Sequence, residues 1–102
     1  MDNALLDEIV RRIVEAAQPD KIILFGSAAR GEMGPDSDID LLIVKPNVHR
    51  RRLAMDLYEV LADIGQAVDL IVATPDDIER YGQSPALVYE PALREGKVLY
   101  AA

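Results

Sequence analysis

No cysteine occurs among the 102 residues, so disulfides and thiolate metal sites are excluded. That absence also fits a reducing cytoplasm. Histidine occurs once, as His49, which leaves no metal site built from imidazoles. No apolar run approaches the ~18 residues a bilayer-spanning helix needs. The acidic start, Met1-Asp2-Asn3, is unlike a secretory signal. Basic residues are few: Lys and Arg total 11 against 18 Asp and Glu, for a net charge of −7. Such a balance opposes direct binding to DNA or RNA, which depends on neutralising phosphates. The expectation is a soluble, cytoplasmic protein with no membrane role.

What is present suits a globular core. Half the residues are hydrophobic and 28% are charged, as in ordinary soluble domains. The length predicts one domain over residues 1–102, with no room for a separate substrate domain. No repeat, low-complexity tract or linker interrupts the chain.

Taken in order, Leu5, Leu6, Ile9, Val10, Ile13, Val14 and Ala17 recur at helical spacing, with Asp2 or Asn3 as cap and Gln18-Pro19-Asp20 as stop. Lys21-Ile22-Ile23-Leu24-Phe25 and Leu41-Leu42-Ile43-Val44 read as buried strands. A helix is predicted over His49 to about Ile64, then a strand over Ala67–Ala73. A helix between two strands predicts a crossover, hence parallel strands two and three. Thr74-Pro75-Asp76-Asp77 carries the marks of a helix start: Thr cap, Pro at the first position, acids in the first turn. That helix ends near Tyr81-Gly82. Another, broken at Pro91, precedes a last strand at Lys97–Tyr100.

Two places resist a purely structural reading. The run His49-Arg50-Arg51-Arg52 puts positive charge at a helix start, where the dipole disfavours it. It reads as a solvated face, with contact to nucleotide phosphates or an acidic partner as the alternative. The other place is Asp38-Ile39-Asp40, entering a strand, since side chains at i and i+2 share one face. Two unit charges about 4 Å apart repel by roughly 4 kcal/mol at an effective dielectric near 20. A raised pKa or a bound cation relieves that repulsion, and Mg²⁺ prefers such oxygens together with substrate phosphates. Asp69 is a third carboxylate, in an apolar strand where an unpaired one is costly to bury.

Competing motifs fail. Asp36-x-Asp38-x-Asp40 lacks the glycine and the twelfth-position Glu of an EF-hand. The glycines fit neither a dinucleotide fingerprint nor a P-loop, and Ser27 lacks a hydrolase nucleophile's setting.

Gly26-Ser27, ten intervening residues and Asp38-Ile39-Asp40, with Ala29-Arg30-Gly31 and Ser37, resemble the minimal nucleotidyltransferase branch of the DNA polymerase β-type superfamily. The resemblance implies an α/β polymerase β-like fold, a small mixed sheet flanked by helices. It implies ATP as substrate, Mg²⁺ (two ions) held by Asp38, Asp40 and Asp69, and triphosphate contacts at Gly26 and Ser27. Asp69 is the superfamily's third acidic residue. Arg30 either neutralises triphosphate or braces the loop through Asp36 or Glu32, the bracing role being favoured. The branch pairs with HEPN-domain toxins, so the resemblance implies a hetero-oligomer in which AMP passes to a tyrosine of the toxin. Two alternatives stand: an antitoxin acting by contact alone, and a small-molecule nucleotidyltransferase completed by a second subunit. A partner would cover apolar surface, expected around Tyr81 to Leu93.

Overall fold

The computed structural model describes residues 3–31, 38–81 and 93–102. Helix α1, Asn3–Ala17, buries Leu6, Ile9, Ile13 and Ala17 along one stripe. Gln18, at φ 48°, ends it in the left-handed region, and its N–H bonds back to the Val14 carbonyl at 2.9 Å. The Lys45 ammonium donates to the Ala17 carbonyl, so a cation sits at the negative end of the helix dipole. The expected cap at Asp2 or Asn3 lies outside what is described.

Strand β1 (Lys21–Phe25) leads into the one-turn helix α2 (Gly26–Ala29), and β2 (Ile39–Val44) runs back antiparallel to β1. Helix α3 (Arg50–Val60) then crosses to β3 (Val68–Ala73), which pairs parallel with β2, as the crossover predicts. Helix α4 (Pro75–Tyr81) and strand β4 (Lys97–Ala101) follow, β4 antiparallel to β1. Among the described residues the strands form one mixed sheet in the order β3-β2-β1-β4.

Alternation along the strands divides the core. Ile22 and Leu24 of β1, Ile39, Leu41 and Ile43 of β2, and Leu70 and Val72 of β3 face α1 and α3. Ile23, Leu42, Val44 and Ala73 face the other side, where Ile78 of α4 packs. Leu41, Leu42 and Ile43 have no solvent exposure; each such side chain contributes roughly 1.5–3 kcal/mol by burial.

Helix α3 is shorter than its periodicity predicts. After Val60 the bonding tightens to three-residue spacing, Ala62 N–H to the Glu59 carbonyl (3.3 Å) and Ile64 N–H to that of Leu61 (3.0 Å). Arg12 fixes this exit, donating to the Val60 carbonyl at 3.2 Å and to Asp63 at 2.6 Å. The helix start at Thr74 is as predicted: Asp77 N–H donates to Thr74 Oγ1 (3.1 Å) and Thr74 N–H to Asp77 Oδ2 (3.0 Å). This reciprocal cap occupies Asp77. The predicted break at Pro91 lies outside the described residues. Among those that are described, no helix is long and apolar enough to cross a membrane.

Candidate active site

The antiparallel β1–β2 pair sets Phe25 opposite Asp40, and the parallel β2–β3 pair sets Asp40 beside Asp69. Neighbouring strands lie about 4.8 Å apart, so Asp40 and Asp69 are lateral neighbours. Both share the face of Leu42 and Ile71, away from α1 and α3. Asp38, two residues before Asp40, is exposed where the chain enters β2. The strand order thus gathers three carboxylates at one end of one sheet face, although Asp69 is distant from the others in sequence.

Their electrostatics follow. Partial burial raises the Asp40 carboxyl above its ordinary range, and the charges of Asp69 and Asp38 raise it further. Asp69 is raised by desolvation, then by the charge of Asp38 and a hydrogen bond shared with it. Both carboxyls therefore protonate more readily than a free one, Asp40 from a half-buried position and Asp69 from an exposed one.

Gly26 closes the other side. Its φ of +72° is left-handed, the region that suits glycine. A Cβ here would run into Asp40 Oδ2 and stand 3.3 Å from Asp40 Cγ. The absence of a side chain at position 26 is what admits the Asp40 carboxylate. Ser27 follows, half-buried, in the first turn of α2, whose cap, Phe25, supplies no side-chain hydrogen bond. Ala28 and Ala29 anchor α2 in the core.

Arg30 ends α2 and pairs with Glu95 at 3.6 Å. Glu95 is a partner the sequence did not indicate; the expected partners, Asp36 and Glu32, lie outside the described residues. The expected apolar surface around Tyr81 to Leu93 does too, apart from Leu93, which is 39% exposed.

The basic run lies elsewhere. His49 caps α3, its Nδ1 accepting the Arg52 N–H at 3.2 Å, and Arg50 pairs with Asp77 at 3.2 Å. Val48, His49, Arg50 and Arg51 line a concavity of about 510 Å³. These residues follow the C-terminal end of β2, whereas Asp40 stands near its start. Val44 is four strand steps beyond Asp40, roughly 13 Å at about 3.3 Å per step. The phosphate-contact alternative for this run is therefore not served at the carboxylate end.

Among the described residues no three His, Cys, Asp or Glu side chains form a ready-made metal cage. Mg²⁺ does not require one, since it takes one or two carboxylates and completes its shell with water and phosphate. Carboxylates gathered closely enough that Asp69 and Asp38 raise the proton affinity of Asp40 are a donor set of the right hardness.

Comparison with known proteins agrees with the fold and with the family resemblance. The nucleotidyltransferase domain family matches residues 6–97, and the chain belongs to that family. A solved structure of a putative minimal nucleotidyltransferase is 30% identical, with 95% of each chain covered and a TM-score of 0.59. This chain is of that minimal type. The Methanocaldococcus jannaschii protein named putative protein adenylyltransferase MJ1305 is 34% identical over 85% of this chain, which spans 65% of that protein's length. A chain in the complex of a tri-AMPylated Shewanella oneidensis HEPN toxin with its MNT antitoxin shares the fold. There the TM-score is 0.68 at 16% identity, over 100% of this chain and 74% of that one.

Proposed function

We propose that this chain transfers AMP from ATP to a hydroxyl, a tyrosine of a HEPN-type toxin, and thereby acts as its antitoxin. The observation that carries the reading is the packing of the Asp40 carboxylate against Gly26 and beside Asp69. It puts acidic groups next to a turn suited to phosphates. The relative named as a protein adenylyltransferase and the fold shared with an AMPylated toxin–antitoxin complex support the direction of transfer.

In this reading Gly26 and Ser27 hold the β- and γ-phosphates by backbone N–H groups and the Ser27 hydroxyl. Asp38, Asp40 and Asp69 would hold divalent cations, Mg²⁺ by the hardness of the donors. When bound, such ions neutralise the triphosphate and polarise the attacking hydroxyl. The hydroxyl oxygen bonds to the α-phosphorus, the bond to the bridging oxygen breaks, and pyrophosphate leaves. Asp69, whose carboxyl pKa is raised by partial desolvation and by Asp38, accepts the hydroxyl proton. Arg30, held by Glu95, braces the turn.

Co-expression with the cognate toxin tests the proposal. The Asp38→Ala, Asp40→Ala double variant should lose neutralisation at equal expression while still co-purifying with the toxin. Full neutralisation by that variant would make the chain an antitoxin by contact alone.

A further inference from the structure

Strand β3 lies at the sheet edge. Its bonds to β2 involve alternate residues: the Ala67 carbonyl accepts from Ile39 N–H (2.9 Å) and the Ala73 carbonyl from Lys45 N–H (3.0 Å). By that alternation Leu70 turns its N–H outward, where an edge strand ordinarily meets water. Here the N–H donates at 2.9 Å to the hydroxyl of Tyr58, which reaches it from α3. Tyr58 as a whole remains 42% exposed, so apolar burial does not by itself account for its place.

The peptide held in this way is the one that joins Asp69 to Leu70. Asp69 faces Asp40 in register and is opposed by the charge of Asp38. Like-charge repulsion pushes the start of β3 away from β2, and among the described residues no strand lies on the far side of β3 to resist. We infer that the Tyr58 hydroxyl is a positioning group for Asp69: it pins the 69–70 peptide so that the carboxylate stays beside Asp40 for a shared divalent cation. The inference rests on the carboxylate reading above and assigns to it a residue that touches neither nucleotide nor metal. Groups that orient metal-binding side chains commonly control affinity by roughly 10–100-fold when removed.

Tyr58→Phe removes the hydroxyl and keeps the ring. Two measurements on the full chain decide the matter: amide exchange at Leu70 without metal, and Mg²⁺ affinity by calorimetry. The variant should exchange Leu70 faster and bind Mg²⁺ roughly tenfold more weakly. Met55→Ala, on the same exposed helix face, should leave both unchanged. Faster exchange with unaltered Mg²⁺ affinity would reduce Tyr58 to a cover for the sheet edge and overturn the inference. Absence of Mg²⁺ binding by the wild-type chain itself would instead remove the carboxylate reading, and the inference with it.

Discussion

The Oδ2 atom of Asp40 occupies the space that a side chain on Gly26 would need. Residue 26 therefore has two reasons to be glycine, its left-handed φ and its acidic neighbour. Gly31 has only the first, since its φ is also +72° but a Cβ there would meet nothing within 4 Å. Gly31→Ala should cost about 1 kcal/mol for the backbone alone, and Gly26→Ala about 2–3 kcal/mol in urea unfolding. In an Asp40→Ala background the Gly26→Ala cost should fall towards the Gly31→Ala value. Equal costs in both backgrounds would contradict the packing account.

The carboxylate pair should weaken the metal-free protein at neutral pH. The folded state raises the proton affinity of Asp40 and Asp69. Their favourable contribution is thus present below the ordinary carboxylate pKa of about 3.9 and lost as pH rises through the raised values. Asp40→Asn should stabilise the metal-free chain at pH 7 by roughly 0.5–1 kcal/mol, the scale of a relieved like-charge cross-strand pair. That gain corresponds to a few degrees in Tm, and it should shrink as pH falls towards 4. Millimolar Mg²⁺ should reverse the order by stabilising only the wild type. Melting curves across pH, with and without Mg²⁺, check both statements.

Asp77 behaves oppositely. Its hydrogen bond from the Thr74 backbone, then that from the Thr74 side chain and the nearby Arg50 charge, lower its pKa. Its contribution is present above the ordinary value and lost as pH falls through the lowered one. Asp77→Ala should cost about 1–2 kcal/mol at pH 7, the scale of a lost helix cap. Thr74→Ala should cost about as much, and the double variant less than the sum, because each change breaks the same reciprocal pair.

The chain order of elements was legible because its signals are local. Leu6, Ile9 and Ile13 repeat at helical spacing, and Thr74-Pro75 announces α4. Even the parallel β2–β3 pair followed from the intervening helix. The Asp38–Asp40 spacing and the glycine turn exposed the candidate site, and Asp69 stood out as a charge in an apolar strand. What stayed hidden depends on long-range placement. No periodicity brings Glu95 to Arg30 or the Tyr58 hydroxyl to Leu70. The early end of α3 reflects Arg12 reaching the Val60 carbonyl and Asp63, a contact between elements that composition does not encode.

The position of the basic run yields a negative prediction. Arg51 stands beyond the C-terminal end of β2, far from Asp40. Arg51→Glu should leave the KM for ATP within about twofold, because an exposed charge more than a Debye length of roughly 8 Å away is largely screened at physiological salt. A tenfold rise in KM would bring the α3 start into the nucleotide site.

The most direct measurement incubates the purified chain with Mg²⁺, α-labelled ATP and its co-purified toxin, alongside the Asp38→Ala, Asp40→Ala variant. The account predicts label on the toxin with the wild type and none with the variant. A stable complex that acquires no label in either case would contradict it.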